Sequence, residues 1–340
     1  MNTATSAIDS VLVPLLKKFP DAGSRTIATI AYKAHPEMWP SAEHCRQGVL
    51  YRRGLKGKGD HKKAEHGYGE FFRDKSESGA VFDTLPEPTS VFDAPWRHKS
   101  IEGVRRVLVL SDVHIPYHDN TALDIAIRAG KKFAPDCILL NGDTADFYSV
   151  SDWERDPRKR SLKDEIPAVR NLLCYLRAQF PKARIVWKDG NHEERWWRYL
   201  KVKAPELFGM PEFSLNALLW MEQLRVEYVG EMRPLRFGKL FILHGHEYRF
   251  PIANPVNPAR GLFQRAKTLA ACGHFHQSSQ HSERDLSEKV VSTWSLGCLC
   301  DLHPGYRPIN NWNHGFGLLQ IDKGGVFELE NKRIIEGKVY

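Results

Sequence analysis

The 340-residue chain predicts a mixed α/β fold with a small helical region in front of it. Three observations carry that expectation. From Val104 on, short apolar runs alternate with stretches whose apolar residues recur at helical spacing. The C-terminal part instead reads as strands joined by a tight turn. Residues 6–53 carry helix signals.

In chain order, Ser24 is expected to cap a helix with Ile27, Ile30, Ala31 and Ala34 on one face. His35-Pro36 ends it, and Pro40-Ser41 opens a second helix that runs to Arg53 and stops at Gly54. Two short helices joined by a turn, the second ending in basic residues, resemble a helix-turn-helix, although helical hairpins also serve as plain scaffolds. The expected organisation is a helical region over 1–55, a Gly-, Lys-, Ser- and Pro-rich linker or strap over 56–100, and one domain over 101–340. There, residues 107–110, 137–140, 185–187, 240–243 and 269–272 read as buried strands. Residues 121–133 and 166–180 read as helices, the second through Val169, Leu172, Leu173, Leu176 and Phe180. Residues 290–296, 317–321 and 326–329 read as strands, with a hairpin turn at Asp322-Lys-Gly324-Gly325.

Each of the five buried runs is followed at once by metal-binding side chains. They are Ser-Asp112-Val-His114, Asn-Gly142-Asp143-Thr-Ala-Asp146, Lys-Asp-Gly190-Asn191-His192-Glu193, His244-Gly245-His246 and Gly273-His274-Phe-His276. Loops at the carboxyl ends of strands converge while the strands stay rigid. Water shared by two divalent ions is acidified enough to supply hydroxide near neutral pH, which is what phosphate-ester hydrolysis requires. Such a pair needs a bridging carboxylate surrounded by His, Asp and Asn, and imidazole with carboxylate suits Mn, Fe and Zn better than Mg or Ca.

The ordered set Asp-x-His, Gly-Asp-x-x-Asp, Gly-Asn-His-Glu, His and Gly-His-x-His resembles the calcineurin-like metallophosphoesterase superfamily over residues 104–320. The resemblance implies two packed mixed sheets with helices outside. It also implies one divalent ion on Asp112, His114 and His276, a second on Asn191, His244 and His274, and Asp143 bridging them. The expected metal is manganese, with Fe, Zn, Ni or Co as alternatives. His192 would protonate the leaving oxygen or steady the phosphoryl group, with Asp146 orienting it and keeping it cationic. Longer strings, such as residues 111–119, 254–263 and 295–301, resemble a phage- and prophage-associated branch of these enzymes.

Several neighbours have plainer readings. His246 and His281 are left out of the ligand set; His244 is preferred to His246 because it directly follows the apolar run. Asp189 and Glu193 read as loop or capping residues, and Cys298-x-Cys300 as structural, since its spacing is wrong for a zinc knuckle. Trp196 and Trp197 can be core residues of the helix after Asn191, a reading favoured for Trp197.

An apolar fraction of 42% can build a sizeable core, no run approaches a membrane span, and the N-terminus lacks a signal sequence. The cysteines fall largely in apolar runs, which suits free thiols in a reducing cytosol. A net charge of +8 and pI near 9.1 favour a polyanionic partner. Basic residues concentrate at Arg46, Arg52, Arg53, Lys56, Lys58, Lys62 and Lys63, and again at Arg158, Lys159, Arg160 and Lys163. Arg158, Arg160 and Arg260 are candidate phosphate contacts, the last in a Pro-rich loop. Phosphoprotein phosphatases of this fold carry Arg after the last Asp of the second motif, where this chain has Phe147. Aromatic and basic residues near that motif suit nucleic acid. The expected function is a phosphodiesterase or nuclease acting on nucleic acid through a metal-bridging hydroxide. The alternatives are a phosphomonoesterase or small-nucleotide phosphodiesterase and, last, a non-catalytic scaffold. Oligomeric state is not fixed by the sequence.

Overall fold

The computed structural model describes residues 3–54, 96–152, 156, 161–248 and 256–340, which fall into two compact units, 3–54 and 96–340. The first contains α1 (Thr3–Lys18), α2 (Ser24–Ala34) and α3 (Ala42–Arg52) around Leu12, Ile27, Ala31, Trp39, Cys45 and Val49. Ser41 caps α3 by accepting from His44 N at 3.3 Å. Ser24 does not cap α2, which begins after Gly23, because its hydroxyl accepts from Arg53 Nη1 at 3.1 Å. The basic residues of α3 are likewise tied inward: Arg52 Nε donates to Asp9 Oδ1 at 2.6 Å, Arg53 Nη2 to Ala22 O at 2.5 Å, and Arg46 Nε to Glu43 Oε2 at 2.8 Å. Lys56, Lys58, Lys62 and Lys63 lie outside the described residues.

The second unit contains two sheets. The strands are β1 (Lys99–Ser100), β2 (Arg106–Leu110), β3 (Cys137–Asn141), β4 (Arg184–Lys188), β5 (Val226–Val229), β6 (Leu235–Phe237), β7 (Leu240–Leu243), β8 (Ala270–Cys272), β9 (Ser279–Arg284), β10 (Val290–Ser295), β11 (His314–Ile321), β12 (Phe327–Ile335) and β13 (Lys338–Val339). One sheet has the order β13-β12-β11-β2-β3-β4-β5 and the other β1-β6-β7-β8-β10-β9. The strands β2 to β5 run parallel, so each connection must cross back over the sheet. Helices α4 (Asn120–Phe133), α5 (Leu162–Gln179) and α6 (Asn191–Lys203) do this; α7 (Leu215–Leu218) and α8 (Pro258–Ala266) complete the unit.

Side-chain alternation explains why the strand runs are apolar throughout. Val107, Val109, Leu139 and Val186 point into a core shared with Leu235, Phe237, Leu240 and Ile242 of the second sheet. Their neighbours Leu108, Leu110, Ile138, Leu140, Ile185 and Trp187 point the other way, onto Ala126, Val169 and Leu173 of the helices. With both faces covered, β2, β3 and β4 stay in register, and their carboxyl ends deliver the next residues to one place. The C-terminal hairpin is longer than its apolar pattern indicates. In β12, Glu328, Glu330 and Lys332 interrupt that pattern, while its backbone pairs with β11 from Phe327 to Ile334.

Candidate metal centre

The loops after β2, β3, β4, β7 and β8 converge, and they do so in a backbone conformation that side-chain-bearing residues seldom adopt. Asp112, His114, Asp143, His274 and His276 have φ of 55°, 52°, 49°, 68° and 56°. Each such residue costs on the order of 1–3 kcal/mol, so the surroundings must hold it. They do so through backbone bonds: His114 N donates to Asp143 O at 2.9 Å, Gly273 N to His244 O at 2.8 Å, and Asn313 N to His276 O at 2.9 Å. Glycines allow the close approach. A Cβ on Gly190 would lie 2.2 Å from Asp143 Oδ1, and one on Gly273 would lie 1.9 Å from Ser111 Oγ.

Within this pocket, lone pairs face lone pairs. His244 Nδ1–H donates to Asn141 O at 2.8 Å, which leaves Nε2 as a lone pair 3.2 Å from Asp143 Oδ2. His114 Nδ1–H donates to Asp146 Oδ2 at 3.0 Å, and its Nε2 lies 3.2 Å from His276 Nε2 and 3.8 Å from Asp143 Oδ2. His276 Nε2 is in turn 3.2 Å from Asp112 Oδ1. Asn191 Oδ1, His244 Nε2 and His274 Nδ1 are buried and have no hydrogen-bond partner. Buried acceptors arranged this way are costly unless cations lie among them. Ligand atoms of Asp143, His244 and His274 sit within 4.8 Å of one another, as do those of His114, His276 and Cys300. Asp143 Oδ2 faces both His114 and His244, the position a bridging carboxylate requires. The buried acceptors of Asp112, His114, Asp143, Asn191, His244, His274 and His276 therefore fit divalent cations among them.

Burial disfavours charge on every group here, and specific partners decide the outcome. Burial opposes a protonated His244, but Asp143 and Asp112 outweigh it and push the ring up to about 10, so a proton on Nε2 holds the place that a cation would take between that ring and Asp143. For Asp112 the same contest, won by His276, brings the carboxyl down to about 2. His274 is held at about 4 by burial and by His244.

A model of the calcineurin-like phosphoesterase domain matches residues 105–296, more than half of the chain. The chain belongs to the calcineurin-like phosphoesterases. It is 26% identical to the Gene 54 protein of Mycobacterium phage D29 over 234 residues, 65% of this chain and 91% of that one. The Gene 54 protein of Mycobacterium phage L5 is 26% identical over 230 residues, 64% of this chain and 89% of that one. Among solved structures, Vps29 from Entamoeba histolytica complexed with zinc is 14% identical with a TM-score of 0.36, covering 69% of this chain and 96% of that one. A dimetal phosphatase from Danio rerio is 11% identical with a TM-score of 0.32, covering 66% and 98%. The phosphoesterase is thus a metal-dependent hydrolase of phosphate esters, and among its described residues no helix is long and apolar enough to cross a membrane.

Around the centre, this phosphoesterase gives some residues work that sequence reasoning missed. His192 Nδ1 donates to Asp146 O at 2.9 Å, and Arg195 Nη2 donates to His192 Nε2 at 2.9 Å. Arg195 Nη1 also reaches Asp146 O at 2.9 Å. Burial and Arg195 oppose charge on His192, whereas Asp143 and Asp146 favour it and prevail. A protonated Nε2 cannot accept from a guanidinium, so the two states exclude each other. Glu193 is fully buried and accepts from Gly190 N at 2.7 Å, Asp143 N at 3.0 Å, Thr144 N at 2.9 Å and Ala145 N at 3.0 Å. Its capping role therefore spans two motifs. Glu247 does similar work for His244 N at 2.9 Å and Gly245 N at 2.6 Å, paired with buried Lys188 at 2.8 Å. His246 is diverted to Glu194 at 3.1 Å.

Phe147 is a buried residue stacked on Trp196, so Trp196 is the core member of the tryptophan pair and Trp197 is only half-buried. Arg260 is exposed in the first turn of α8, not in a loop, and no bond among the described residues ties its side chain to the centre. Arg158 and Arg160 lie outside the described residues. Cys300 Sγ approaches His276 Nδ1 at 3.7 Å and the Trp312 ring packs on His276 at 4.1 Å, so both bear on the orientation of that ligand.

Proposed function

We propose that this phosphoesterase is a two-metal phosphodiesterase that cleaves nucleic acid, with manganese as its working metal, in the cytosol of a host cell. The observation that carries the two-ion reading is the set of buried lone pairs on Asn191, His244 and His274 facing Asp143 from one side, with His114 on the other. The pair of ions, when bound, supplies an activated water and neutralises phosphoryl charge. Asp146 fixes His114 in the tautomer that presents Nε2, at 3.0 Å. Arg195 stands where it can grip a non-bridging phosphate oxygen, taking the part that an Arg at position 147 plays in phosphoprotein phosphatases. When Arg195 turns to the substrate it releases His192 Nε2, which then takes a proton from solvent and gives it to the leaving oxygen. The charge of +8 supports a polyanionic substrate.

Hydrolysis of single-stranded DNA, duplex DNA, cyclic dinucleotides and phosphopeptides, compared with manganese present, tests the reading. Turnover of DNA should exceed that of phosphopeptides by at least about tenfold. The reverse order would favour the phosphomonoesterase alternative.

A further inference from the structure

The structure holds a cavity of about 1150 Å³ that the chemistry above does not use, and its lining residues Asp189 and Glu194 flank the metal-binding candidate Asn191 in sequence. It lies between α6, the segment 208–214 and the loop that follows β5. Along α6, Asn191, Glu194, Trp197 or Arg198, and Lys201 recur at three- and four-residue spacing, so they form one stripe. That stripe begins at a metal-binding candidate, and its part from Glu194 to Lys201 lines the groove over about 10 Å, at about 1.5 Å of rise per residue.

Resting on the phosphodiesterase reading, we propose that this groove binds the bases and backbone of a single-stranded oligonucleotide whose scissile phosphate lies at the metal centre. Its walls alternate rings with cations: Trp197 and Phe208 with Arg198, Lys201 and Arg233. Phe208 is 45% exposed, and Lys201 Nζ sits 5.1 Å from its centroid. Asp189 accepts from Tyr228 and from Trp187 Nε1, and Glu194 binds His246 at 3.1 Å. Arg233 pairs with Glu231 at 2.7 Å and Arg198 with Asp152 at 2.5 Å, so Lys201 is the cation of this set without an ion pair among the described residues. Every base has a face to stack, so rings interleaved with cations bind a strand without reading its sequence. A phosphomonoester or a cyclic dinucleotide would leave most of the groove empty.

The test compares Phe208→Ala, Lys201→Glu and Trp197→Ala in the full chain, on a single-stranded oligodeoxythymidylate and on bis(p-nitrophenyl) phosphate. Stacking of one base is worth about 5- to 150-fold in affinity. Phe208→Ala and Lys201→Glu, both at exposed positions, should each raise KM for the oligonucleotide roughly tenfold. Both should leave kcat, and both constants for the small diester, within about twofold of the parent. Trp197→Ala should act in the same direction; since its ring also touches the core, a folding defect there would leave the other two variants decisive. Wild-type kinetics on the oligonucleotide, or equal losses on both substrates, would overturn the groove while leaving the phosphodiesterase reading intact. If no diester is hydrolysed, that reading fails instead. Anisotropy of a labelled oligonucleotide with metal chelated still tests the groove: weaker binding by Phe208→Ala and Lys201→Glu supports it, and unchanged binding overturns it.

Discussion

His192 and Arg195 form a pair whose hydrogen bond and whose protonation are incompatible, and that conflict gives each a distinct kinetic signature. His192→Ala should lower kcat by about 10²–10⁴ while two metals stay bound, because its Nδ1 is engaged with Asp146 O and its Nε2 with Arg195. Arg195→Ala should raise KM for phosphodiesters, and Arg195→Lys should restore little, since an ammonium cannot reach Asp146 O, His192 and a phosphate oxygen in one planar fork. Kinetics together with metal content for the three variants check this; metal loss in His192→Ala would make the ring a ligand. Glu165 carries a separate prediction. Burial, reinforced by Asp146, raises its carboxyl to about 8 from 4.5, while Phe147 N donates to it. Its folded pKa lies above its unfolded one, so its contribution to stability is complete below pH 4.5 and is lost as pH rises to about 8. Glu165→Gln keeps the acceptor and removes the titration. Its melting temperature should therefore fall less than that of the parent between about pH 5 and pH 8. Parallel curves would contradict the assignment. The convergence of Asp112, His114, Asp143, His192 and the later candidate ligands was legible in the sequence, because each follows a buried strand. Arg195 was not legible: its meaning depends on where α6 points it.

At the level of elements, the fold is set by strands buried on both faces and by loops forced into close contact at their ends. The five strand-to-ligand steps are readable as apolar runs ending in polar residues. What is not readable is how one loop restrains another. Glu193 sits in the third motif and satisfies three backbone N–H groups of the second, so a local capping pattern conceals a long-range tie. Glu193→Ala would strand these buried donors at about 1–3 kcal/mol each, and the destabilisation measured by denaturant should be about 3 kcal/mol or more. Gly190→Ala tests the packing of the same two loops. Its Cβ would meet the Asp143 amide nitrogen at 2.5 Å, so the loops must part. Metal affinity should fall by at least about tenfold, with the melting temperature lower; an unchanged affinity would show the packing to be slack. The start of α2 departs from its local pattern for the same reason. Arg53, 29 residues away, takes the hydroxyl that the pattern assigns to the helix end.

On the scale of the whole molecule, the two units pose different questions. The helical region at the N-terminus is basic in sequence, yet Arg46, Arg52 and Arg53 spend their donors on Glu43, Asp9 and backbone carbonyls. A nucleic-acid role for this region therefore rests on few free charges in α3. Deleting residues 1–75 should leave hydrolysis of a small chromogenic diester within about twofold, since every candidate ligand follows residue 110. If the region binds nucleic acid, the slope of log K against log salt should flatten by about 0.7 to 0.9 for each phosphate that the deletion leaves without a cation. An unchanged slope would assign all polyanion binding to the second unit, where the groove beside α6 lies. The central claim is that the carboxyl ends of β2, β3, β4, β7 and β8 build a site for two divalent ions bridged by Asp143. Metal analysis of the purified chain after equilibration with manganese, set beside Asp143→Asn, tests it most directly. Two ions per wild-type chain are predicted, with fewer than two and at least about a hundredfold less phosphodiester hydrolysis in Asp143→Asn. One ion or none in an active wild-type enzyme, or full occupancy and activity in Asp143→Asn, would contradict it.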